Sequence, residues 1–144
     1  MASEHPALGR AFPAVTYAVG REKVREYAYA TGETDPRHLD PEAARAAGYA
    51  DVVAPPMFAA VYCAAAIGPA ILDPEVGIDF ARMVHGAQEF TWHAPVVAGD
   101  EITTEASLEE KDERGGLQFF VFRTVSTNQH GETVCEGRWT NIVR

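Results

Sequence analysis

Residues 57–67 read Met-Phe-Ala-Ala-Val-Tyr-Cys-Ala-Ala-Ala-Ile, apolar or small at every position. Pro55-Pro56 precedes the run and Gly68-Pro69 follows it, and both pairs punctuate helices. A helix without a polar face has to be surrounded on all sides. The run is too short to cross a bilayer, which takes about 20 apolar residues. It therefore predicts one helix, ended at Gly68-Pro69 and buried against a sheet.

The rest of the chain supplies that sheet. Residues 15–19 alternate as a short strand, and residues 21–31 carry Val24, Tyr27, Ala28 and Thr31 at helical spacing before Gly32. Residues 33–39 have no apolar period and predict a loop, while Asp40-Pro41-Glu42 predicts a capped helix to about Ala47, ended by Gly48. Residues 72–81 predict a second loop. Beyond it, residues 82–92, 101–111, 117–127 and 132–143 are strand candidates separated by turn clusters at 93–100, 112–116 and 128–131. The expectation is one α+β domain over residues 1–144, with 1–11 as a flexible tail and a long antiparallel meander wrapped around the apolar helix.

Composition limits the partners. The net charge of −9 disfavours nucleic acid and anionic membrane surfaces. Arg21, Lys23 and Arg25 fall close together, but Glu22 and Glu26 lie between them, which reads as a solvated helix face before an anion site. Residues 1–10 show no signal-peptide pattern, and the two cysteines, Cys63 and Cys135, sit in apolar surroundings without a C-x-x-C partner. A cytoplasmic chain with buried reduced thiols, no metal and no redox cofactor is expected. The five histidines have no metal-ligand spacing. His85 could face the interior of the fold or be a hydrogen-bonded sheet histidine, and His93 and His130 belong to turns.

The densest polar cluster is Thr31-Gly32-Glu33-Thr34-Asp35-Pro36-Arg37-His38-Leu39-Asp40. An imidazole and a carboxyl group held close together can run paired proton transfers, one taking an acidic C–H while the other protonates a leaving hydroxyl. Loops after helices also collect acids and histidines as caps and turn formers. Spacing alone leaves both readings open.

The run G-E-T-D-P-R-H-L-D-P-E-A-A-R-A-A-G-Y resembles the signature of the MaoC-like dehydratases and (R)-specific enoyl-thioester hydratases, Gly-Asp-x-Asn-Pro-x-His-x-Asp followed by an acidic, alanine-rich helical turn. Gly32, Pro36, His38 and Asp40 match in register, as do Gln88-x-Phe90 and Pro95-Val96-x-x-Gly99-Asp100 further on. The start G-R-E-K-V-R-E-Y-A and the segment D-V-V-A-P-P-M-F resemble the N-terminal-type MaoC dehydratase group in particular. The resemblance spans residues 12–144 and implies a hot-dog fold, dimerised as a homodimer or with a MaoC-like partner subunit. The implied reaction is reversible loss of water from a (3R)-hydroxyacyl thioester carried on CoA or an acyl carrier protein.

By motif position, the resemblance makes His38 the base at C2 and puts Glu33 in the place of the family's aspartate, with Asp35 supporting the loop. Three departures stand out. Glu33 is one methylene longer than aspartate. Asp35, in place of asparagine, adds a negative charge that would raise a neighbour's pKa. Pro55-Pro56 occupies the positions of a family His-Gly whose glycine N–H polarises the thioester carbonyl, and proline has no N–H to give. The Met57 N–H, also at the helix start, is the substitute. A non-catalytic subunit shaping the acyl channel of a heterodimer is the alternative function, and an acyl thioesterase the third.

Overall fold

The structure, a computed structural model, describes residues 5–144. Strands β1 (Val15–Ala18), β2 (Met83–Trp92), β3 (Glu101–Arg114), β4 (Leu117–Thr127) and β5 (Thr133–Val143) form one antiparallel sheet in the order β1-β3-β4-β5-β2. Helices α1 (Arg21–Ala30), α2 (Pro36–Leu39) and α3 (Pro41–Ala46) follow β1, and the central helix α4 (Ala59–Leu72) is led in by a 3-10 turn at Pro56–Phe58. The sheet curls around α4, which is the hot-dog architecture.

Alternation places the sheet against the helix. Ile102, Thr104, Ala106 and Leu108 of β3 and Phe120, Phe122, Thr124 and Ser126 of β4 are all buried. Tyr62, Cys63, Ile67 and Ala70 of α4 share one apolar core with Ile102, Ala106, Leu108, Phe120 and Phe122. Phe58, fully buried, anchors the helix start between Tyr17, Tyr27 and Tyr62 with ring-centre distances of 6.2, 5.4 and 6.3 Å. A polar ladder crosses the same interface: Trp139 Nε1 donates to Thr124 Oγ1 at 2.9 Å, and the Thr104 and Ser126 hydroxyls share a bond of 2.7 Å beside the Cys63 thiol. Burial pushes the Cys135 thiol up to about 11 and the Cys63 thiol up as well, so both are inert protonated groups.

Five expectations are corrected. First, the apolar helix does not end at Gly68-Pro69; Pro69 lies inside α4. Proline removes the hydrogen bond to the carbonyl four residues back, and that residue, Ala65, is exposed, so water can serve the carbonyl while Ala70 draws the last turn into the core. Second, α4 is covered on one side only, since Ala64 and Ala65 are exposed and Leu72 is 62% exposed.

Third, only β3, β4 and β5 form a meander. The chain between β2 and β3 is drawn away by pairing with residues 52–54 (Ala54 N–H to Val96 O at 2.8 Å, Ala98 N–H to Val52 O at 3.0 Å), and β2 lies beside β5 instead. Fourth, residues 33–39 are not all loop, because Asp35 caps and Pro36 opens the single turn α2. Fifth, the expected tail is docked from His5 onward. Ala7 and Phe12 are buried, Gly9 and Phe12 donate to Leu108 O and Ala106 O at 2.8 Å each, and Arg10 pairs with Asp73 and Glu75. The first part of that tail, residues 1–4, lies outside the described residues. No described helix is long and apolar enough to cross a membrane.

Candidate active site

Two helix-end motifs, back to back, position the candidate pair. Helix α1 ends on Gly32, whose φ of +75° suits glycine alone without strain. Gly32 N–H donates to Tyr29 O at 3.2 Å and Glu33 N–H reaches back to Ala28 O at 2.9 Å. That paired closure fixes the Glu33 backbone directly beyond the helix. Two residues later the Asp35 carboxylate accepts from Arg37 N–H at 3.0 Å and starts α2, with Pro36 in the first helical position. His38 sits in this one turn, tied by its N–H to Asp35 O at 3.1 Å. Arg25 Nε donates to Leu39 O at 2.9 Å and locks α2 onto α1.

The His38 ring is bonded on one side only. Its Nδ1 lies 2.6 Å from Val53 O. A carbonyl can only accept, so Nδ1 carries a proton, and in the neutral ring Nε2 has the free lone pair. Val53 is itself held, by its N–H to Arg37 O at 2.9 Å and by bridging to Val97. Nε2 faces Glu33 Oε2 at 4.0 Å, too long for a hydrogen bond. The His38 side chain is 14% exposed and that of Glu33 39%. An acid and a base are thus held close, oriented, and not spent on each other.

Asp35 is held within its own turn. Arg37 Nε donates to both Asp35 carboxylate oxygens, at 3.1 and 3.0 Å. The guanidinium, with the Arg37 N–H, holds the Asp35 carboxyl down at about 2. Its charge is compensated within the turn, where it caps His38's helix. Arg21 and Arg25 are likewise engaged, with Asp51 at 2.7 Å and Glu22 at 2.8 Å.

Met57 is 48% exposed at the head of α4. Pro55 and Pro56 have no N–H, and the Phe58 N–H is taken by Pro55 O at 2.9 Å. Among the described residues the Met57 N–H has no backbone acceptor, so it is the free donor at this helix start. A mostly apolar cleft of about 340 Å³, lined by Val53, Pro55, Pro56, Tyr62, Trp92 and Val96, runs along the segment. His38 and Glu33 do not line it; Val53, whose carbonyl holds His38, joins the two features.

The other histidines stand apart from the pair. The His85 ring stacks on Trp139 at 5.8 Å and its Nε2 lies 3.1 Å from Ala87 O. His93, in its turn, bonds Glu136 at 2.9 Å, and His130 is exposed in its hairpin. Among the described residues no three His, Cys, Asp or Glu side chains are grouped so as to hold a metal ion. Sequence reasoning missed Val53, which acts through its main chain and has no side-chain signature, and Trp92, whose Nε1 donates to Pro56 O at 2.8 Å.

Comparison with known proteins bears on this geometry. Residues 6–137 match the family described as the FAS1-like dehydratase domain region. The chain belongs to that family. It is also 44% identical over 138 residues to a UPF0336 protein of Saccharopolyspora erythraea, covering 95% of this chain and 88% of that protein. Among solved structures it is similar to a chain of the C-terminally truncated HadBC (3R-hydroxyacyl-ACP dehydratase) complex from Mycobacterium tuberculosis, with a TM-score of 0.83 and 31% identity over 94% of this chain and 96% of that one. A MaoC-like dehydratase superposes with a TM-score of 0.87 at 31% identity, covering 96% of this chain and 42% of the other. Within this family the hot-dog fold and the MaoC-like resemblance are both established for the chain.

Proposed function

We propose that this chain is a hydro-lyase that reversibly removes water from a (3R)-hydroxyacyl thioester, giving the trans-2-enoyl thioester, in fatty-acid or polyketide-type metabolism. The observation that carries the reading is the His38–Glu33 pair, 4.0 Å apart, with the His38 proton fixed on Nδ1 by Val53 O. His38 Nε2 takes the C2 proton while the Glu33 carboxyl group delivers a proton to the departing 3-hydroxyl, which leaves as water. The Met57 N–H takes the charge that builds on the thioester carbonyl. Asp35 holds the turn that carries His38. The C2–H electron pair becomes the C2=C3 double bond as the C3–O bond breaks, a redox-neutral elimination, so the reading calls for no redox group. The acyl group arrives on CoA or an acyl carrier protein, in a cytoplasm where Cys63 and Cys135 remain free thiols.

The protein works as a homodimer or beside a MaoC-like partner subunit. The bare side of α4, with Ala64, Ala65 and Leu72 exposed, supports this, as does the outer edge of β2, which pairs with β5 alone. A second reading, a non-catalytic subunit shaping the acyl channel, is favoured by Pro55-Pro56 at the helix start. The deciding experiment follows hydration of a ladder of trans-2-enoyl-CoA substrates by the purified chain and by His38→Ala. Activity lost in the variant supports the hydro-lyase. An inert chain that activates a partner equally well with or without His38 supports the channel subunit.

A further inference from the structure

The bond from Trp92 to Pro56 O spans 36 residues and has no satisfaction problem to solve. Trp92 is 46% exposed, so water could serve its indole N–H. A direct bond of 2.8 Å to a carbonyl of the central helix's lead-in is therefore a geometric constraint. What it constrains follows from the peptide unit. The Pro56 carbonyl and the Met57 N–H belong to one planar, resonance-stiffened amide. Fixing the oxygen fixes the direction of the N–H at the other end. Donation into the oxygen also draws electron density through the amide and makes the N–H a stronger donor, as chained hydrogen bonds polarise one another by about 10–30% per bond. In a trans unit the two groups point opposite ways, so Trp92 acts from behind the N–H.

The surroundings single out this amide. Pro55 and Pro56 have no N–H and the Phe58 N–H is already bonded, so Met57 alone has a donor to orient. Trp92 and Pro56 both line the cleft that reaches Val53, the residue holding His38. The Trp92 ring is braced by Phe90 at 5.8 Å, and its strand is paired to β5 along its length.

We infer that Trp92 is a positioning residue for the reaction, orienting and polarising the Met57 N–H through the Pro56–Met57 peptide plane, a role that rests on the hydro-lyase reading. It gives the chain a way to operate with prolines where its resemblance expects a glycine donor.

The test removes the indole N–H and keeps the ring. Trp92→Phe does so by substitution, and benzothienylalanine at position 92, with sulfur in place of N–H, does so with almost no change of shape. Each is compared with wild type for kcat and KM in crotonyl-CoA hydration, for Tm, and for the Met57 amide proton shift in a 15N-labelled sample. The expected result is a kcat lowered about tenfold, KM within about twofold, an unchanged Tm for the benzothienyl protein and an upfield shift of the Met57 amide proton. A merely structural bond would lower Tm and leave kcat of the folded enzyme alone. An active wild type whose kcat does not respond, or a Met57 amide that does not move, overturns the inference while sparing the hydro-lyase reading. A wild type inactive toward every enoyl-CoA of the ladder, alone and beside a MaoC-like partner subunit, overturns both.

Discussion

Two histidine–carboxylate pairs occur in this chain, and they are built in opposite ways. His93, just beyond β2 and lining the apolar cleft, touches Glu136 at 2.9 Å, where Arg123 also grips Glu136 and both partners are more than a third exposed. His38 and Glu33 stand 4.0 Å apart, with the imidazole mostly buried and its other nitrogen fixed by a main-chain carbonyl. The first pair is closed: its lone pair and proton are already committed to each other. The second is open, and an open pair is the one that can act on a third molecule. Proximity of the two residue types is therefore a poor guide to chemistry. Orientation without mutual bonding is the better one.

The largest expected effect separates the pairs directly. His38→Ala should lower enoyl-thioester hydration by at least about 100-fold, while His93→Ala stays within about twofold, measured as kcat/KM on the same substrate. Equal losses would erase the distinction. Next, Glu33→Gln, which keeps size and removes proton exchange, should lose about 100-fold. Glu33→Asp restores the side chain of the resembling motif and should stay within about tenfold of wild type. If Gln and Asp behave alike, the carboxyl group is not the working part.

Smaller effects probe the closed pair and the cap. His93 first, then Arg123, holds the Glu136 carboxyl below its ordinary value. A lowered carboxylate stabilises the fold above the pH at which an unfolded glutamate titrates, and that stabilisation is lost as pH falls through the lowered value. The Tm difference between wild type and Glu136→Gln should thus be widest near neutral pH, close as the solution is acidified, and shrink with added salt, because the pair is solvent-exposed. A difference independent of pH would contradict the ion pair. Smallest is Asp35→Asn, which keeps an oxygen for the Arg37 N–H and should leave Tm and rate nearly unchanged, whereas Asp35→Ala, without a cap, should lower both.

Much of this was legible in the residues, and the rest was hidden for identifiable reasons. The paired glycines before β4 announce a tight hairpin, and both take the positive φ it requires, 57° and 79°. The hydrophobic run announces the central helix, and Gly32 through Asp40 announces the candidate pair. Hidden were features that side-chain pattern does not encode. Residues 5–12 dock through backbone bonds and two buried side chains, Ala7 and Phe12, too few to form a period. The shift of β2 to the sheet edge follows from pairing between residues 52–54 and 96–98, segments too short to read as strands. Val53 contributes a carbonyl, which every residue type carries.

Deuterium labelling tests the open pair most directly. Hydration of crotonyl-CoA in D2O should give (3R)-3-hydroxybutyryl-CoA with one deuterium at C2, delivered from His38, and His38→Ala should form this product at a rate at least about 100-fold lower. Product formed by His38→Ala at the wild-type rate, or product of the (3S) configuration, would contradict the assignment of these two side chains.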